Sequence, residues 1–345
     1  MNKFKRISFL LTLCVTSALS AQKRTEDFSI SFPEKKLDQS YYKTIQLIDN
    51  RIDTTSLGIV QKGAFNTKAR VVPTTSLSNQ FQKLLDNING ENTEDGNIVI
   101  HLKQLYFAET TGAFSEHGYC YFQAFLFAKN DDGTYSYLDK IDQVIDHSSM
   151  DVTKATMKKG SEMVSDFISK NISKKAGSTN HYSFADLKNF DHIEKQKYSL
   201  YNSPELKDGV YKDYKAFRDQ QPEKTITSVK FYGKSPKIIK IYETLEGKEK
   251  EIKKNDSYAI VYKGDPYIYT SVDDLFTKAE KKDNDYYFTG KVKSTAKTGN
   301  VVLASAFFGI IGGLIASGPV ATPFELKIDY LNGGFIPIRE IKPER

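Results

Sequence analysis

Five histidines, His101, His117, His147, His181 and His192, carry the most versatile side-chain chemistry near neutral pH. None stands at metal-ligand spacing from another His or from a Cys, so no zinc site is expected. Asp146-His147 and Asp191-His192 are acid–His neighbours. Adjacent residues on a strand point to opposite faces, so neither pair implies a carboxylate that orients a metal-bound imidazole. No Gly-x-Ser-x-Gly elbow occurs, and Cys120, in the aromatic run Tyr119-Cys120-Tyr121-Phe122, lacks a protease signature and reads as a buried thiol.

Two short motifs approach ligand loops and miss. Gly233-Lys234-Ser235 echoes the end of a phosphate loop, but Ser228 occupies the position that the pattern reserves for its first Gly. If Gly133 in Asn130-Asp131-Asp132-Gly133 were the sixth position of a calcium loop, Ala128 would sit at the first ligand position. Both read as turns. Lys230, Lys234, Lys237, Lys240, Lys248, Lys250, Lys253 and Lys254 interleave with Glu243, Glu246, Glu249 and Glu251, the pattern of a solvated hairpin face, with an anionic-lipid patch as the alternative. Tyr258, Tyr262, Tyr267 and Tyr269 fit a tyrosine-rich sheet better than a sugar- or peptide-binding face. No catalytic residue, cofactor or metal ligand is assigned.

What must position any site is a chain of 345 residues, 39% apolar and 27% charged, long enough for two domains. Residues 1–21 read as a signal peptide: Lys3, Lys5 and Arg6, then an apolar core from Ile7 to Leu19, then Ser20-Ala21-Gln22 for cleavage. Leu13 precedes Cys14 in mid-core, so lipidation is not expected. Cleavage takes Lys plus Arg from 49 to 46 against 43 acids, and the formal charge from +6 to +3. That balance gives no case for nucleic acid. Cys14 leaves as well, so Cys120 has no intramolecular partner.

One stretch departs from an ordinary soluble chain. No charged residue occurs between Lys297 and Glu325. A helix over 301–317 would be roughly 25 Å long, the short edge of a bilayer core. Ser305, Gly309, Gly313 and Ser317 would form a small-residue ridge opposite Leu303, Phe307, Ile310 and Leu314. Such a ridge admits a membrane, a partner, or the chain's own core at backbone distance. If the hairpin of 325–330 and 335–339 completes a sheet begun before this stretch, both flanks lie on one side and a single full span is excluded.

Periodicity gives the remaining elements. Leu77, Phe81, Leu84, Leu85 and Ile88 make a helical stripe capped by Thr74, Thr75 or Ser76 and ended by Asn89-Gly90. Strands are predicted over 97–107, 118–129 and 134–145, and a second helix after Asp151 carries Val152, Ala155, Met163, Val164, Phe167 and Ile168. Short helices are expected over about 184–195, 213–220 and 272–279, with hairpin turns at 246–248, 263–265 and 283–285. The fold class expected is α+β: helices packed on a mostly antiparallel sheet over 22–173, a linker at 174–182, and a β-rich domain over 183–345 carrying the apolar helix 301–317.

Ile45-Gln46-Leu47-Ile48-Asp49-Asn50-Arg51, followed by Leu57-Gly58 and the 77–88 helix, resembles the exported YajG-like and ABC-transport auxiliary lipoproteins over about residues 25–172. The lipid-anchoring Cys of that family is missing here. Leu206-Lys207-Asp208-Gly209-Val210-Tyr211, with Phe217, Pro222 and Tyr267-Ile268-Tyr269, resembles uncharacterised exported Gram-negative proteins. Neither resemblance transfers a catalytic residue. The function expected is that of an exported, non-enzymatic cell-envelope accessory or binding protein in the periplasm, with an envelope protein or a membrane surface as partner. A periplasmic hydrolase is the alternative. Intact mass of protein recovered from the envelope should correspond to a chain starting at Ala21 or Gln22, and a chain retaining Met1 would refute export by cleavage.

Overall fold

A computed structural model describes residues 24–62, 67–111, 116–149, 152–177, 180–294 and 320–341. The expected signal peptide and the 301–317 stretch lie outside these residues. The chain divides into two compact units. Met1–Glu109, Gly118–Ala124 and Ile141–Lys174 form the first; Thr110–His117, Phe125–Lys140 and Lys175–Arg345 form the second.

The α+β expectation is overturned. With 51% strand and 21% helix the protein is mostly β, built on two sheets, and the six helices of the described residues include no long apolar one. Only α1 (Leu77–Ile88) and α2 (Val152–Ile172) exceed two turns. The physical reason is the length of the strands, which run on through polar segments that turn residues alone would end. Asn89-Gly90 ends α1, yet the next strand starts there.

The first sheet has the order β1-β4-β3-β5-β6-β7-β8, with β2 also on β5. Its members are β1 (Thr25–Phe28), β2 (Leu37–Asp49), β3 (Gly58–Lys62), β4 (Thr67–Pro73), β5 (Asn89–Thr111), β6 (Glu116–Lys129), β7 (Tyr135–Ser148) and β8 (His181–Tyr182). The 23-residue β5 is the spine. β2 runs parallel to it from Leu37↔Asn89 to Asp49↔Leu102, and β3 resumes the same parallel pairing at Gly58↔Phe107. The two are halves of one interrupted strand.

The Asp49-Asn50-Arg51 motif makes that interruption. Arg51, 7% exposed, holds Asp49 through Nε at 2.8 Å and Nη2 at 2.7 Å, and its Nη1 donates to the Ser56 carbonyl at 2.9 Å. A guanidinium fork satisfied on both sides fixes the loop between Asp49 and Ser56. Gly58 then re-enters the sheet at φ +112, where a Cβ would fall 2.0 Å from the Phe107 carbonyl oxygen. Only glycine permits that approach.

Helix α1 buries Leu77, Phe81, Leu84, Leu85 and Ile88, with Ser76 as its cap. Its glutamines bind strand backbone as a neighbouring strand would. Gln82 accepts from Ile45 N at 3.0 Å and donates to Lys43 O at 3.0 Å, while Gln80 donates to Phe28 O at 3.3 Å. Edge groups of the sheet are thereby satisfied without another strand.

The buried face of α2 differs from the one expected: Ala155 and Met163 are only half-buried, while Thr156, Gly160 and Ser161 face inward. Gly160 lies against Cys120 and Phe107, and a Cβ there would stand 2.5 Å from Cys120 Sγ. Phe28–Phe107 and Phe122–Phe167 ring contacts at 5.0 and 5.8 Å complete this core.

In the second unit, the tip of the β6–β7 hairpin packs on short helices. Phe125 and Phe127 meet Phe190 edge-on at 5.0 and 4.8 Å, and Tyr182 meets it at 5.4 Å. The helix expected over 184–195 is two, α3 (Phe184–Lys188) and α4 (Phe190–Lys195), broken at Asn189; α5 (Ser199–Asn202) and α6 (Tyr214–Arg218) follow.

The second sheet, β18-β17-β16-β15-β14-β13-β9 with β11 carrying β10 and β12, is antiparallel throughout. Its strands are β9 (Gly209–Tyr211), β10 (Ser228–Phe231), β11 (Ile238–Leu245), β12 (Lys248–Ile252), β13 (Ala259–Tyr262), β14 (Asp265–Thr270), β15 (Leu275–Lys282), β16 (Asp285–Ser294), β17 (Val320–Ile328) and β18 (Phe335–Glu340). The helix expected over 272–279 is instead a turn followed by β15.

Gly160→Leu forces a bulky side chain between α2 and the Cys120–Phe107 surface, and should cost about 1–3 kcal/mol in urea unfolding. Lys158→Leu, on the exposed side of the same helix, should change stability by no more than about 0.5 kcal/mol. Equal stability of the two variants would refute the close approach.

Candidate functional site

The histidines are not brought together. His101 is buried on β5, His147 Nδ1 stands 3.0 Å from Lys159 Nζ, and His181 Nδ1 stands 3.0 Å from Thr134 Oγ1 and 3.8 Å from Asp132. Among the described residues no group of three or more His, Cys, Asp or Glu is placed to hold a metal ion. Cys120 is fully buried, and desolvation pushes its thiol pKa far up, so the reactive thiolate is suppressed. Tyr267 belongs to an apolar cluster with Val210, Ile241, Ile260 and Phe276, and Tyr262 and Tyr269 pack against it. Tyr267 is buried, and Tyr262 and Tyr269 are half-buried. The eight residues expected to make the membrane or partner contact, Ser305, Gly309, Gly313, Ser317, Leu303, Phe307, Ile310 and Leu314, lie outside the described residues.

The geometry draws attention to a cleft of about 790 Å³ in the second unit, walled by 203–206, Asp208, the 263–266 turn, 278–281 and Tyr286. Asp208, from the Leu206–Tyr211 motif, builds one wall. Its two carboxylate oxygens accept from the backbone N–H groups of Lys263 at 2.9 Å and Gly264 at 2.8 Å. Lys263 and Gly264 have φ of +56 and +78, the tight hairpin turn between β13 and β14. A carboxylate distant in sequence therefore caps the turn.

The neighbouring strand β15 carries two lysines with contrary electrostatics. Lys278 Nζ pairs with Asp265 at 2.7 Å, and that hydrogen bond raises its pKa above the usual lysine value. Lys281 donates to the Tyr201 carbonyl at 2.6 Å, and desolvation lowers its pKa. Tyr286 donates to the Leu200 carbonyl at 3.1 Å and burial pushes it up to about 12.

Behind this wall lies a layer of tyrosines around one buried cation. Lys195 Nζ pairs with Asp285 at 2.6 Å and lies 5.8 and 5.3 Å from the ring centres of Tyr201 and Tyr330. Tyr330 donates to Asp191 Oδ1 at 2.9 Å, and Tyr214 donates to the Tyr330 carbonyl at 2.8 Å. Sequence reasoning missed this cluster, because its residues come from α4, α5, α6, β16 and the β17–β18 turn. The single signal was the density of tyrosine.

Chemically the cleft offers Glu205, Asp208, Asp265 and Glu280 against Lys263, Lys278 and Lys281, with Ser203 at its rim. Its lining includes neither His nor Cys, so Ser203 meets no imidazole base there. The arrangement suits recognition of a polar, zwitterionic surface. Because the proton leaves Lys281 at lower pH than Lys278, an amine-acylating reagent should modify Lys281 first as pH is raised. Mass spectrometry of peptides labelled across the alkaline range reads this order. Asp265→Asn should bring Lys278 closer to Lys281, and simultaneous labelling of the two in the parent protein would contradict the electrostatics described.

No family model matches the chain, and no curated protein matches it. Among solved structures it is similar to a Xanthomonas campestris protein assigned to the family DUF330, with 8% identity, a TM-score of 0.27, and coverage of 42% of this chain and 90% of that one. A second, described as an uncharacterized protein, has 7% identity and a TM-score of 0.23, covering 43% of this chain and 97% of that one. Likeness at this level carries no argument about fold or function.

Proposed function

We propose that the chain is an exported, non-enzymatic accessory or binding protein of the cell envelope, which touches a membrane or an envelope partner through residues 301–317. The observation that carries this reading is the ladder on either side of that stretch. β16 and β17 pair antiparallel from Tyr287↔Lys327 up to Ser294↔Val320. The uncharged segment therefore leaves and rejoins one end of a two-stranded ladder, so its two ends stay on the same side of any surface it enters. Flanks held side by side favour a dipping contact over a single full span. No helix of the described residues is long and apolar enough to cross a membrane.

Fractionation of intact envelopes tests the proposal. The protein should resist a high-salt wash and require detergent for release, and a photo-crosslinker at Phe307 should capture lipid or one envelope protein. Gly309→Asp with Gly313→Asp places two charges on the small-residue ridge and should move the protein to the salt-soluble fraction. Full release of the parent protein by salt, with no crosslink from position 307, would refute the reading.

A further inference from the structure

The β10–β11 hairpin differs in charge from the rest of its sheet. In β11–β12 the cross-strand pairs mix signs: Glu243 stands opposite Lys250, and Lys240 Nζ reaches Glu251 at 2.6 Å. From Lys224 to Tyr242, by contrast, there are five lysines and no acidic residue. Lys230 lies directly opposite Lys240, a like-charge pairing that sheets ordinarily avoid. Glu251 answers Lys240 and Glu243 answers Lys224 at 3.2 Å, which leaves Lys230, Lys234 and Lys237 without an ion pair among the described residues.

The same tip exposes two aromatic rings. Phe231 is 40% and Tyr232 63% exposed, although other phenylalanines of this sheet, Phe276 and Phe288, are buried. This is not fraying. Tyr232 N donates to Lys237 O at 2.8 Å, Ser235 N donates to Tyr232 O at 3.0 Å, and Gly233 turns the chain at φ +56. The strand below is anchored by Val229, which packs on the Ile238–Ile241 core. A closed turn thus holds Phe231 and Tyr232 outward, flanked by three uncompensated ammonium groups.

We infer that this hairpin tip is an interfacial anchor for an anionic lipid surface, with Phe231 and Tyr232 entering the headgroup layer and Lys230, Lys234 and Lys237 facing its phosphates. Amphipathic aromatic rings settle at the membrane–water boundary, and each nearby lysine adds affinity for acidic lipid that salt weakens. The contact is separate from residues 301–317 and differs from it in force: it is electrostatic and peripheral, and salt releases it.

Sedimentation of the full mature chain with vesicles tests the inference, using phosphatidylcholine alone and phosphatidylcholine with 30 mol% phosphatidylglycerol as the probes. Binding should favour the anionic vesicles and weaken as salt rises. Lys230→Gln, Lys234→Gln and Lys237→Gln together should lower apparent affinity for the anionic vesicles about a hundredfold, and Phe231→Ser with Tyr232→Ser about tenfold. Lys230, Phe231, Tyr232 and Lys234 are exposed and Lys237 is half-buried, and unchanged thermal melting certifies the fold of each variant. Equal binding to both vesicle types, or variants that bind anionic vesicles as tightly as the parent, would overturn the inference. Salt-resistant binding shared by all variants would overturn it as well, and would assign the contact to 301–317 instead.

Discussion

An ammonium group taken out of water must be met by charge and by oriented electron density, and in the second unit Lys195 sets that requirement. Asp285 supplies the charge and the Tyr201 and Tyr330 rings supply their negative faces. Each of those partners is then drawn into a fixed place. Asp285 opens β16, Tyr201 ends on α5, and Tyr330 holds the β17–β18 turn. Lys327 also approaches Asp285, at 3.5 Å, so the carboxylate serves two cations and ties β17 to the same point. The cleft wall formed by Lys281 and Tyr286 hangs from α5 carbonyls that this cluster positions.

Local conformational demands were legible in the amino-acid sequence, and long-range ones were not. Asp283-Asn284 and Lys263-Gly264 take positive φ and turn the chain where their residue types require it. The α1 stripe was readable because its apolar residues recur on one helical face. Val272, Leu275, Phe276 and Ala279 show the same spacing, yet Leu275 and Phe276 belong to β15. That strand has sheet neighbours on both edges and buries consecutive residues, so the period-two signal vanishes and a helical spacing arises by coincidence. Asn89 to Gly96 is polar enough to read as loop, but parallel pairing with β2 extends β5 through it.

The motifs that looked most informative turned out to be architectural. Asp49-x-Arg51 interrupts one strand of the first sheet and returns it at Gly58. Asp208 closes a turn whose residues follow it by more than fifty positions. In both cases a charged side chain satisfies backbone groups that have no strand partner. The cleft beside Asp208 is legible only in three dimensions, because its residues come from four separate segments and share no periodicity.

The seal over Cys120 has a further meaning for how the molecule breathes. Its sulfur sits beneath Gly160, within a core that excludes water, and its thiolate is strongly disfavoured there. A soluble disulfide reagent gains access only when α2 lifts from the strands or the unit opens as a whole. The thiol's oxidation clock therefore keeps time with that opening equilibrium and with nothing at the surface. In an oxidising compartment, a molecule that has lost its fold would be marked by a new mixed disulfide, while the intact form passes unrecorded.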